Sequence, residues 1–305
     1  MYIPLVVFIL MLIFPALTKS GAYTGLILWL YTIIPTLLPY MIISGIICYF
    51  NAFTIISNLL YPITKRIFGI SKNANYCLIV GFLCGYPMGS KVIADMLNKN
   101  ELNLNEANYL LCFCNNISPS FIINYVTASI LCNCYNINDA TLKSIILILF
   151  ISPMLVSIIY RIIHKQFNFA TTYTTRLQTT AINDYNFMDR CILNSFENIF
   201  KIGGYIIIFT IISTWIQNIS IFSKNTSFII SSLFEITSGL NSLKYTNFNN
   251  NIGILNVIFL CSFGGICSIA QTLSMISNTK LDIKEYIIYK VINGITAILM
   301  ALIVL

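Results

Sequence analysis

Apolar residues run along the chain in long, unbroken blocks separated by short polar stretches. The blocks fall at about 2–17, 22–50, 74–97, 104–134, 142–163, 189–217, 251–277 and 283–305. A helix needs about 20 such residues to cross a hydrocarbon core of roughly 30 Å, and several blocks reach that length. None shows the alternating ten-residue pattern of a barrel strand. The pattern therefore predicts an all-α polytopic membrane protein. Block 2–17 has no basic region ahead of it, and Pro15-Ala16-Leu17-Thr18-Lys19 makes a poor cleavage site. It reads as a retained membrane helix.

Two blocks do not read as simple spans. Residues 74–97 carry Gly85-Tyr86-Pro87-Met88-Gly89 at their middle, and residues 251–277 carry Ser262-Phe263-Gly264-Gly265. Each break leaves two arms of about ten residues, too short to cross. Such arms predict a re-entrant hairpin, which is tolerated where it is buried in protein or lines a wet cavity. Phe82-Leu83-Cys84-Gly85-Tyr86 also aligns with Phe259-Leu260-Cys261-Ser262-Phe263. The chain then divides into an N-terminal membrane helix (1–21), a first repeat (22–134) with hairpin 74–97, a linking helix and cytoplasmic linker (135–188), and a second repeat (189–305) with hairpin 251–277. Segment 52–69, with Lys65 and Arg66, reads as an interfacial helix. Segment 226–242 holds the same place in the second half. With the linker inside, the hairpins open to opposite faces and the two repeats are inverted. Ten basic residues then lie inside against six outside, the bias expected of a membrane protein.

Composition sharpens this by exclusion. The chain has 305 residues, 57% hydrophobic and 9% charged, where a soluble domain has about 25% charged. A soluble enzyme and a nucleic-acid module are excluded, and the net charge of +7 belongs to membrane topology. The ten cysteines lie mostly in apolar blocks and read as small buried thiols. The C-x-C pairs Cys112/Cys114 and Cys132/Cys134 point to different helix faces and chelate poorly. There is one histidine, His164. No metal site, no cofactor and no enzymatic activity are expected. The expected partners are the bilayer and a small solute.

Candidate chemistry sits at the breaks, because broken helices at the midplane are where secondary transporters hold cargo. The first break is Gly85-Tyr86-Pro87-Met88-Gly89-Ser90-Lys91, with the proline placed to open the returning arm. The second is Asn115-Asn116-Ile117-Ser118-Pro119-Ser120, where Ser118 and Pro119 read as an N-cap and first helical residue. The third is Gly264-Gly265-Ile266-Cys267-Ser268, with Gln271 a turn on. Exposed N–H groups at such helix starts favour an anion. Lys91 opposes the local helix dipole and needs a partner, which Asp95, a wet cavity or an anionic ligand would supply. Glu197 and Glu235 are possible coupling carboxylates, although both fall near segment ends and read as solvated.

At these breaks the chain resembles a known family. GFLCGYPMGSKVIADM, FCNNISPSFI, FEITSGLNSL and SFGGICSIAQ occur in the order found in the sporulation integral membrane protein YlbJ family, of the nucleoside-recognition (gate) domain group. The resemblance covers about residues 26–300. It implies transport of dipicolinic acid from the mother cell across the outer forespore membrane, with nucleoside-type transport or a non-transporting spore-maturation scaffold as alternatives. It carries the family motif onto Gly85, Tyr86, Pro87, Gly89, Lys91, Asn115, Asn116, Ser118, Pro119, Gly264, Gly265 and Gln271. This chain has Ser118 where the family is expected to have Gly, and Ile269 where it is expected to have a His that could serve proton coupling.

Overall fold

The computed structural model describes residues 2–50, 52–135, 137–165, 186–218, 223–243 and 250–305. Every regular element among them is helical, and five runs are long and apolar enough to cross a membrane. Helix α1 (Tyr2–Ile13) has 12 residues, about 18 Å at 1.5 Å each, and is too short to span. The first spanning run is Pro15–Ile47, built from α2 (Pro15–Leu28), a π-helical turn (Trp29–Ile33) and α3 (Ile34–Tyr49). The boundary expected at residue 21 therefore falls inside α2. This helix packs closely on α11 (Phe187–Gln217). A Cβ on Gly21 would lie 2.8 Å from Ile211 Cα, and one on Gly25 3.0 Å from Ile207 Cα. Small residues one turn apart let two membrane helices approach in this way. Trp29 Nε1–H completes the contact by donating to Ile199 O at 2.9 Å.

Helix α4 (Ala52–Phe68) turns by 98° into α5 (Lys72–Cys84). Its Ile55, Leu59, Ile63 and Ile67 are exposed at four-residue spacing, while Ser57 and Thr64 are buried. An apolar stripe turned outward suits a helix lying against lipid. Helices α5 and α6 (Met88–Asn98) fold back on each other. A Cβ on Gly89 would lie 3.1 Å from Gly81 Cα, and Asn73 Nδ2 donates to Glu101 O at 3.0 Å. Both ends of the 74–97 hairpin thus lie on one side. The Glu106 carboxylate of α7 (Leu104–Cys114) accepts from Ser71 N–H at 2.7 Å and Ser71 Oγ–H at 3.0 Å, tying α7 to the hairpin base. After Cys114 the chain leaves the helix for four residues. It resumes as α8 (Pro119–Phe121), a π-helical stretch (Ile122–Leu131), α9 (Cys132–Cys134) and α10 (Asp139–Ile163).

The second half differs from expectation. Its folded-back pair is α12 (Lys224–Phe234) and α13 (Ile236–Ser242), where a Cβ on Gly239 would lie 2.5 Å from Ser232 Cβ. Helices α14 (Asn250–Phe263) and α15 (Gly265–Ile276) instead continue as one apolar run of 27 residues. Block 251–277 is therefore a broken span and not a hairpin. Gly264 and Gly265 hold positive φ values of 86° and 77°, which interrupt the helix without reversing it. The run is long enough to cross without folding back. Helix α16 (Ile283–Val304) then begins at the linker end of the molecule. His164 Nε2, just past α10, lies 3.1 Å from Glu285 Oε1. Asp282 N–H donates to Asn108 Oδ1 at 3.0 Å. Lys280 and Lys284, two of the six basic residues that the sequence reading puts outside, accordingly lie near the linker end. Most of linker 164–188 lies outside the described residues.

Candidate functional site

Four chain breaks meet at one place. The tip of the first hairpin is held by Gly85, at φ +72°, where a Cβ would stand 2.6 Å from Ser118 N. Tyr86 N–H donates to Asn116 O at 2.7 Å, joining the tip to the break between α7 and α8. Ser118 Oγ accepts Phe121 N–H at 3.2 Å with Pro119 next, the expected cap. In the second half, Glu235 separates α12 from α13 and caps α13. The break at Gly264-Gly265 lies against that tip, since a Cβ on Gly265 would be 3.2 Å from Leu233 O. The halves also interlock. Tyr125 OH donates to Thr237 O at 2.8 Å, and a Cβ on Gly264 would lie 3.6 Å from Tyr86 Cε1.

Between the breaks lies a cavity of about 40 Å³, room for a few waters. Its polar wall is Tyr86, Ser118, Glu235, Thr237, Cys267, Ser268 and Gln271, and isoleucines of several helices close the rest. Helices α8, α13 and α15 begin at this wall. A smaller cavity of about 20 Å³ on the α3 side shares Leu37, Tyr86, Ser118 and Ile202, so Tyr86 stands between the two. Asn115 ties three elements together behind the wall. Its Oδ1 accepts Ser90 N–H at 3.2 Å, and its Nδ2 donates to Thr272 Oγ1 at 2.8 Å and Tyr286 OH at 3.1 Å. Ser90 Oγ donates to Pro87 O at 2.7 Å. Gly89 leaves room for Asn115, since a Cβ there would be 3.1 Å from Asn115 Oδ1. Ser268 Oγ donates to Gly265 O at 2.9 Å, and Gln271 Nε2 lies 3.3 Å from Cys267 Sγ.

No family model and no solved structure matches the chain. It is 22% identical over 320 residues to the sporulation integral membrane protein YlbJ of Bacillus subtilis (strain 168). The match covers 93% of this chain and 76% of that protein. The likeness extends over nearly the whole chain. With five apolar runs long enough to span, the chain is an integral membrane protein, similar to that sporulation protein over most of its length.

Of the residues singled out in the sequence, Tyr86, Ser118, Ser268 and Gln271 line the cavity. Gly85, Pro87, Gly89, Ser90, Asn115, Asn116, Pro119, Gly264 and Gly265 build its frame. Lys91 does not line it. Among the described residues no ion pair joins Lys91 to Asp95, which is exposed. Glu197, within α11, is exposed and pairs with Lys201 at 2.6 Å. Glu235 corrects the expectation of a solvated end: it is 1% exposed and faces the cavity.

Lys290 is the other group missed. It is fully buried, and its Nζ donates to Asn116 Oδ1 at 3.0 Å. Among the described residues no ion pair joins it to a carboxylate. It lies close to the C-terminal end of α7, where a cation suits the dipole. The sequence signal was a lysine inside an apolar block, which is costly unless it is satisfied.

Proposed function

We propose that this protein is a membrane transporter whose cargo is a small anion, with dipicolinic acid the cargo and the outer forespore membrane the site that the family resemblance implies. The observation that carries the reading is the convergence of four chain breaks on one cavity. Three helices start at its wall, and their positive dipole ends favour negative charge, with Ser118 and Glu235 already accepting N–H groups of α8 and α13. The order of elements supports an inverted repeat, in a register different from that read in the sequence. A folded-back pair, a broken span and an unbroken helix occur as α5–α6, α7–α9 and α10, and again as α12–α13, α14–α15 and α16. Repeats of this kind, with cargo held at the breaks, are a feature of secondary transporters. The cavity as it stands holds waters and not a ring, so cargo entry requires the two tips to part.

Uptake of radiolabelled dipicolinate into proteoliposomes, with and without a pH gradient, tests this. Accumulation above protein-free vesicles supports the reading, and its absence favours a non-transporting scaffold. One observation favours a second cargo class. The wall offers a carboxylate, hydroxyls and an amide but no Lys, Arg or His, a set that also suits the hydroxyls of a nucleoside. Labelled uridine in the same assay separates the two.

A further inference from the structure

Glu235 conflicts with an anionic cargo, and the conflict is informative. Oε1 accepts Thr237 N–H at 2.9 Å and Oε2 accepts Ser238 N–H. These bonds fix the carboxyl at the tip and use one acceptor position on each oxygen. The side chain lines the cavity, and no basic residue lines it with Glu235. The titratable groups that face it are Tyr86 from the first hairpin, Tyr125 from the 122–131 stretch and Cys267 from α15. None of these is a cation. On the helices packed against its hairpin, the charged residues are Lys19 on α2 and Asp189, Arg190, Glu197 and Lys201 on α11, all exposed. Helices α14 and α15 and the 122–131 stretch carry no charged residue.

A carboxylate and a cargo anion would therefore share one cavity without a cation between them. Like charges about 6 Å apart, at an effective dielectric constant near 20, cost on the order of a hundredfold in affinity. Protonating one carboxyl removes that cost.

We propose that Glu235 is the proton-binding group of this cavity: a small anion enters only when Glu235 carries a proton taken from solvent, so each anion bound brings one proton with it. This rests on the anion-transport reading above. It links cargo and proton at one side chain, in a chain that has Ile269 where the family resemblance leads one to expect histidine.

The test is calorimetric titration of the full-length protein in detergent with dipicolinate, at a pH where the ligand is fully ionised. Two buffers of different ionisation enthalpy are compared, and the difference in heat gives the protons taken up. The expected result is about one proton per dipicolinate for the native chain. For Glu235→Gln it is none, with affinity no longer dependent on pH. Dipicolinate binding without proton uptake by the native chain overturns the proposal and leaves the cargo reading intact. So does uptake that is unchanged in Glu235→Gln. If Glu235→Gln does not fold, the native chain in the two buffers decides alone. If the native chain binds uridine but not dipicolinate, the proposal falls together with the anion reading.

Discussion

Tyr86 and Asn116 share a backbone hydrogen bond of 2.7 Å, from the Tyr86 N–H to the Asn116 carbonyl. Both residues lie where a helix has stopped, so each would otherwise carry an unmet polar group in a buried place. The hairpin tip and the broken span thus satisfy each other, and neither has this geometry without its partner.

Gly85 makes that contact possible, which gives the first prediction. Its φ of 72° with ψ of −172° lies in a region used almost only by glycine, where strain costs of order 1–3 kcal/mol. A Cβ would also press on the backbone N of Ser118 at 2.6 Å. Gly85→Ala is expected to lower the melting temperature in detergent and abolish uptake. Gly204→Ala meets nothing within 4 Å, and removing an exposed mid-helix glycine is expected to stabilise by up to about 1 kcal/mol. Equal melting of the two variants would rule out a strained tip.

Ser118 supplies the second. As an N-cap it accepts Phe121 N–H at 3.2 Å. Replacing a Ser cap by Ala costs about 1 kcal/mol, and replacing it by Gly only a few tenths. Ser118→Gly should therefore melt near the native temperature and Ser118→Ala clearly below it. An inverted order in thermal melts would show that the cap is not what Ser118 contributes.

Three of the four breaks were legible because Gly and Pro punctuate them. The fourth, Phe234-Glu235-Ile236, has neither, and a buried carboxylate in a short apolar stretch looks like a solvated segment end. Hairpin and broken span were also confused at 251–277, because two glycines announce an interruption but not its angle. That angle is set by packing, since the flanking arms pack on different neighbours and not on each other. Lys91 stands out in the sequence because it adjoins a break, and Lys290 does not. Contact across 174 residues, from Lys290 to Asn116, leaves no trace in local spacing.

The changed shape of the second half has a direct test. Asn73 and Lys99 flank a folded-back pair, so single cysteines there should label from the same side of the membrane. Asn251 and Ser277 flank a continuous run of apolar helix, so cysteines there should label from opposite sides. A cysteine-free background is needed, given ten native cysteines. Same-side labelling of Asn251 and Ser277 would restore the second hairpin.

Asn115 should couple energetically to Tyr286, because Nδ2 donates to the tyrosine oxygen at 3.1 Å. Asn115→Leu leaves Ser90 N–H without its side-chain acceptor and Thr272 Oγ1 with only Tyr286 OH at 3.5 Å, and a buried group left unsatisfied costs about 1–3 kcal/mol. Tyr286→Phe removes two bonds from the same set, those from Asn115 Nδ2 and Thr272 Oγ1. In a double-mutant cycle of unfolding in detergent, residues sharing such a network show coupling of about 0.5–3 kcal/mol. A coupling near zero would mean that Asn115 acts on the first hairpin alone.

The two lysines are expected to respond in opposite ways. Lys290 is fully buried, and its Nζ donates to Asn116 Oδ1 at 3.0 Å. Keeping an ammonium out of water costs several kcal/mol, and one hydrogen bond to a charged group returns about 1.5–3 kcal/mol. The balance stays unfavourable, so Lys290→Met should raise the melting temperature of the empty protein even though Asn116 Oδ1 loses its donor. Lys91 is partly exposed and does not line the cavity, so Lys91→Met should change stability by no more than about 0.5 kcal/mol, as surface substitutions do. It should also leave dipicolinate affinity unchanged. Asp95→Leu combined with Lys91→Met checks the reading that these two residues are partners, and additive effects are expected because no ion pair joins them among the described residues. Melting of all four variants in one detergent decides the matter. A destabilised Lys290→Met would mean that the ammonium has a counter-charge strong enough to outweigh its burial.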